Sequence, residues 1–132
     1  MQKLVDSLKL LFQEYDCEIE PTSNNALNIF RSKANALSVP KDVIEQLIEF
    51  YVHFYEVPCL DSLTLHSCDD SQLFEWWGDS EIWLGSRDYY ILRWSADKNR
   101  FCVGDSSNVS FGEEEEFSCL SESILYLVNV YN

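Results

Sequence analysis

Between Lys41 and Arg87 the chain has no lysine or arginine, although ten carboxylates fall in that interval. Basic residues are missing again after Arg100, where Asp105, Glu113, Glu114, Glu115, Glu116 and Glu122 follow. The nine cations are confined to Lys3 and Lys9, to positions 31–41 and to positions 87–100, so the formal charge of −14 is unevenly spread. Nucleic acids are bound largely through Lys and Arg neutralising phosphates, which argues against a nucleic-acid ligand. An anionic membrane surface is disfavoured for the same reason. A basic protein is the natural complement, because opposite fields speed encounter and suppress wrong partners. A charge of this size also serves solubility.

Other absences narrow the chemistry. The four glycines stand apart at positions 78, 85, 104 and 112, so no glycine-rich loop can cradle a phosphate. Five cysteines occur at irregular spacing with no CxxC, which predicts reduced thiols, several of them buried. No apolar run approaches the ~20 residues of a membrane span. The opening stretch carries acids within its apolar residues and lacks a small-residue cleavage site, so it reads as a helix rather than a secretory leader. The expectation is a cytoplasmic protein, in which the Asn108-Val109-Ser110 acceptor motif has no role.

What is present is enough for a core. The 132 residues are 46% hydrophobic, with four Trp, seven Tyr and eight Phe. A chain of this length fits one domain, here positions 1–132, that buries roughly two thirds of its unfolded surface. Leu4, Leu8, Leu11 and Tyr15 recur at helical spacing and predict a helix over 2–15. Asn24 or Asn25 is suited to cap a second helix with Ala26, Ile29, Phe30 and Leu37 inward. Pro40 suits the first turn of a third, whose buried stripe is Val43, Ile44, Leu47, Ile48, Tyr51 and Tyr55. That helix should end before Pro58.

Beyond Pro58 the pattern changes. Leu63 and Leu65 mark a short strand, a turn follows at Cys68-Asp69-Asp70-Ser71, and positions 72–77 suit one helical turn. Positions 81–86, 89–95 and 100–104 are rich in aromatic and β-branched residues and are separated by short polar breaks, which predicts consecutive hairpins. A closing helix from Ser118 places Leu120, Ile124, Leu127, Val128 and Tyr131 inward. Helices, then an antiparallel or mixed meander sheet, then a helix define an α+β domain rather than alternating βαβ units.

Candidate chemistry is sparse. Only His53 and His66 can serve as a base near neutral pH. His53 sits in the third helix, where a solvated ring is the simpler role. His66, Cys68 and Asp70 together would suit a small metal-dependent hydrolase, the enzyme alternative. Cys59, His66, Cys68, Asp69 and Asp70 lack the compact paired spacing of structural zinc, and Asp69-Asp70 lacks the alternating calcium-loop pattern. No cofactor is called for.

Trp76-Trp77, bounded by Glu75 and Asp79, offers more. Adjacent side chains diverge, so one indole can enter the core while the other stays near the surface. An exposed Trp ringed by carboxylates has the character of an interface hot spot; the alternative is that both rings pack. The run Glu113, Glu114, Glu115 and Glu116 reads either as a solvated loop or as a docking patch for basic side chains. With Asp69 and Asp70, these residues make up the candidate partner-binding set.

The segment Val39-Pro40-Lys41-Asp42-Val43 leading into the third helix, then Trp83-Leu84-Gly85, Tyr90-Ile91-Leu92-Arg93-Trp94 and the closing helix, resembles the SUKH superfamily in order and spacing. That group includes the yeast glucan-synthesis and cell-wall-assembly regulator and many bacterial toxin-immunity proteins. Where the family often has Asn-Gly after the helix, this chain has Phe54-Tyr55-Glu56-Val57-Pro58. The resemblance implies an α+β domain and a non-catalytic binding protein, with no catalytic residues to carry over. Many bacterial members are thought to neutralise toxins, often nucleases, by direct contact. The expected function is therefore an immunity-type or regulatory protein whose acidic face binds a basic partner, or else a housekeeping scaffold with no toxin partner.

Overall fold

The computed structural model describes residues 1–106 and 114–131. Three helices come first: α1 (Gln2–Glu14), α2 (Asn24–Ala36) and α3 (Lys41–His53). Six strands follow among the described residues: β1 (Val57–Leu60), β2 (Leu63–Leu65), β3 (Glu81–Arg87), β4 (Tyr90–Ser95), β5 (Arg100–Asp105) and β6 (Glu115–Phe117). Helix α4 (Leu120–Val128) closes the chain. The strands pair in sequence order, each antiparallel to the next, so the sheet is a simple meander. This is the α+β architecture the sequence predicts, with the antiparallel form of the sheet. Among the described residues no helix is long and apolar enough to cross a membrane.

The core lies between the helices and one face of the sheet. Leu4, Val5, Leu8 and Phe12 bury one stripe of α1, while α3 contributes Val43, Ile44, Leu47, Ile48, Phe50 and Tyr51. Ile82, Leu84, Leu92, Trp94, Phe101 and Val103 meet them from the sheet. Strand alternation sends Trp83, Arg93 and Cys102 to the opposite face, where Trp83 pairs with Arg93 and Arg93 with Cys102. The fold thus has a helix-covered face and an outer face, and the outer face carries the polar and aromatic residues of interest.

Several boundaries differ from the sequence reading, each for a local reason. Ser23, not Asn24 or Asn25, caps α2, its hydroxyl accepting from Ala26 N at 3.1 Å. Ile29 points outward at 58% exposure, and Ala34 joins Phe30 in the buried stripe instead. Tyr55 falls beyond the end of α3 and is half-buried, while Tyr131 is exposed past the end of α4. Helix α4 starts at Leu120 rather than Ser118, and Gln46 of α3 supplies its cap by accepting from Leu120 N at 2.8 Å.

Strand β1 was hidden by Pro58. It is an edge strand, where proline costs no ladder bond, and Cys59 takes a left-handed φ of 58° at an irregularity in its pairing. Its two-residue turn to β2 holds Asp61 and Ser62 at φ 51° and 63°, the both-positive pattern of a tight hairpin turn. On β3, Gly85 is required by close approach, since a Cβ there would lie 2.1 Å from the Thr64 carbonyl oxygen.

Candidate functional site

The connection from β2 to β3 carries most of the candidate residues. It comprises two 3₁₀ turns, Ser71–Phe74 and Trp77–Asp79. Asp70 caps the first, its carboxylate accepting from Gln72 N at 2.9 Å. Leu73 is fully buried beneath that turn, and Phe74 stacks on Phe30 of α2 with ring centroids 6.0 Å apart. These anchors leave the second half of the connection facing outward.

The two tryptophans separate. Trp77 stacks on Trp94 at 6.4 Å and packs against the core. Trp76 is 42% exposed and stacks on Trp83 of β3, with centroids 5.3 Å apart and planes 27° apart. Glu75 and Asp79 beside it are exposed, and neither forms an ion pair among the described residues. Trp83 Nε1 donates to Glu81 Oε1 at 3.0 Å, which fixes the lower indole.

Glu81 leads into a buried charge network on the outer face. Its carboxylate pairs with the Arg93 guanidinium, which also binds Glu114 through its other terminal nitrogen. The side chains of Arg93 and Glu114 are 8% and 6% exposed. Lys98 closes the network, 3.9 Å from Glu114 and 3.6 Å from Glu116. Among the described residues, three carboxylates thus surround two cations. The chain of contacts from Trp76 through Trp83, Glu81, Arg93, Glu114 and Lys98 to Glu116 joins two segments that lie about forty residues apart in sequence.

The glutamate run is accordingly not one solvated patch. Glu113 lies outside the described residues. Glu114, its side chain only 6% exposed, is an ion-pair partner of Arg93 and Lys98 rather than a free docking carboxylate, a correction to that reading, because a carboxylate this buried is held by the cations beside it. Glu115 and Glu116 open β6 and are exposed. The sequence signal for this strand was weak, because two adjacent glutamates at its start imitate a loop.

Asp69 and Asp70 occupy the turn after β2. The hydroxyls of Ser67 and Tyr55 donate to Asp69 at 2.6 and 2.7 Å, and these two bonds hold its carboxyl below the usual carboxylate range. A depressed value favours the charged form, so Asp69 stays anionic further into acid. Asp70 Oδ2 lies 3.5 Å from His66 Nδ1.

Of the residues of the enzyme alternative, His66 and Asp70 meet. The Cys68 thiol is buried, with the Ala26 carbonyl oxygen 3.9 Å away. Burial pushes it up to about 11, so at neutral pH it is a thiol rather than the thiolate that nucleophilic attack or metal ligation needs. Among the described residues no group of three or more His, Cys, Asp and Glu side chains is arranged to hold a metal ion. His53 is exposed at the last turn of α3.

Two clefts flank these features. One of about 360 Å³ lies between α1 and the end of α4, beside Leu10, Glu14, Asp61 and Arg87. Arg87 is already committed there, donating to the Asp61, Leu127 and Val128 carbonyl oxygens and to the Asp61 carboxylate. The other, of about 200 Å³, lies between the connection and the outer face of β3 and β4, with Trp76, Trp83, Glu75 and His66 in its walls. It coincides with the residues the sequence singles out. No family model matches the chain, and no curated protein matches it.

Proposed function

We propose that this chain is a non-catalytic protein-binding domain, an immunity-type or regulatory protein that uses its acidic outer face against a basic partner such as a nuclease toxin. The observation that carries this reading is Trp76, 42% exposed and flanked in sequence by the exposed carboxylates of Glu75 and Asp79, neither ion-paired among the described residues. Tryptophan is the residue most enriched in interface hot spots, and carboxylates around it orient a cationic partner and raise its encounter rate. A nuclease presents a basic surface to phosphates, so a protein that occupies that surface does so best with an acidic one. The resemblance to the SUKH superfamily, reached from order and spacing, agrees with this reading.

Capture tests this. The purified domain, immobilised, is exposed to lysate of its native host at low and at high salt, and retained proteins are identified by mass. One basic protein held at low salt and weakened at high salt is the expected result; if that partner is a nuclease, its activity should fall when the domain is added. Retention of no basic protein counts against the acidic-face reading. A basic partner without nuclease activity favours the regulatory form of the proposal over the immunity form.

A further inference from the structure

Within that acidic-face reading, on which this inference rests, we propose that the cleft between Trp76 and His66 receives a single arginine side chain of the partner. Size comes first. At about 200 Å³ the cleft falls below the roughly 300–1,000 Å³ of pockets that enclose small molecules, and it is open to solvent along one side. It suits one long side chain entering from a facing surface.

The walls select the kind of side chain. Trp76 and Trp83 form a stacked pair in which each indole covers one face of the other. A cation is left the face of the 42% exposed Trp76 turned away from Trp83, and indole is the strongest aromatic partner for a cation over its face. Glu75 supplies a carboxylate at the rim, and Gln72 and Ser86 add neutral oxygen acceptors. Among the described residues no lysine or arginine lines the cleft, so an incoming cation meets no fixed like charge. His66, which shares the wall, is turned to Asp70 at 3.5 Å. An anionic or purely apolar side chain would leave these acceptors without donors.

Arginine fits better than lysine. The guanidinium is planar, stacks on an indole, is weakly hydrated, and offers five donors to acceptors spread around a ring. The ammonium of lysine is compact and strongly hydrated, and it gains less from a flat aromatic wall. The floor is also rigid: Trp83 is held by its bond to Glu81, and Glu81 by Arg93. A preorganised wall reduces the ordering cost of binding one flexible side chain.

The test uses two ten-residue probes, deca-arginine and deca-lysine, each labelled and titrated at low salt against the intact chain by fluorescence anisotropy. The indole N–H signals of Trp76 and Trp83 are followed in parallel. Deca-arginine should bind about tenfold more tightly than deca-lysine and should shift both indole signals. Trp76→Ala should bring arginine binding down to the lysine level while leaving lysine binding unchanged, and Trp76→Phe should restore part of the difference. Trp76 is at the surface, and circular dichroism verifies that both variants fold. Equal binding of the two probes, insensitive to Trp76→Ala but lowered for both by Glu75→Lys with Asp79→Lys, would overturn the arginine cleft and leave the acidic face standing. Binding of neither probe would also overturn the cleft, and the capture experiment then judges the acidic face separately.

Discussion

Replacing Arg93 by alanine will lower the unfolding free energy by about 3–5 kcal/mol. Its guanidinium bridges Glu81 and Glu114 on the outer face, and its side chain is only 8% exposed. Removing it leaves two carboxylates close together with little water to solvate them, and repulsion adds to the desolvation cost. Urea unfolding followed by circular dichroism measures the change. Arg93→Lys should recover only part of it, since one ammonium cannot reproduce the two-armed geometry. Arg93→Met combined with Glu81→Gln and Glu114→Gln should be much closer to the parent, because neutral partners remove the buried charge imbalance. A loss below about 1 kcal/mol for Arg93→Ala would mean that the network is solvated and contributes little.

Arg87→Ala should cost about 2–3 kcal/mol by a different route. Arg87 stands at the end of β3, where its guanidinium donates to the Leu127 carbonyl oxygen at 3.3 Å and to that of Val128. These are among the last carbonyls of α4, the negative end of that helix, which has no basic residue of its own in its final turn. The same group donates to the Asp61 carboxylate at 2.6 Å and lies 5.0 Å from the Tyr131 ring. One side chain therefore ties the β1–β2 turn, the sheet and the last helix together. Loss of amide-exchange protection in α4 and around Asp61 should accompany the fall in stability, whereas α1 to α3 should keep theirs. Uniform loss across the chain would show that Arg87 contributes only to global stability.

Much of this fold was legible in the sequence because its signals are local. The stripe of α3 repeats every three to four residues, and the segments that became β3, β4 and β5 are aromatic-rich runs parted by short polar breaks. The sequence left the two tryptophans open between divergence and packing of both; the structure has Trp76 42% exposed and Trp77 packed against the core. What was not legible depends on contacts between distant residues. Nothing near Glu114 reveals that Arg93, twenty-one positions earlier, claims it, so a buried counter-ion looked like a member of a solvated run. Strand β1 was obscured by a proline that an edge position tolerates, and Ile29 was placed inward by spacing although Ala34 takes that place. The cleft itself was invisible in the sequence, because Trp83 and Trp76 meet only once the connection folds back on β3.

Two halves of the candidate site, residues 69–79 and the described part of the 113–116 run, meet through Trp83, Glu81 and Arg93. That junction places exposed carboxylates around a strongly held interior network. Charge at Glu75 and Asp79 can thus be reversed without touching a buried pair, while charge at Glu114 cannot. The distinction makes association separable from folding.

The most direct measurement is the association rate of the captured basic partner with the parent chain and with the Glu75→Lys, Asp79→Lys variant, each across a range of salt. Electrostatic steering raises on-rates by factors of about 10–1,000 and fades as salt screens it. The parent should associate quickly at low salt and slow steeply as salt rises. The variant, folded as judged by circular dichroism, should be at least about tenfold slower at low salt and nearly insensitive to salt. Equal rates for the two proteins at low salt, with the same dependence on salt, would contradict an acidic binding face at Trp76.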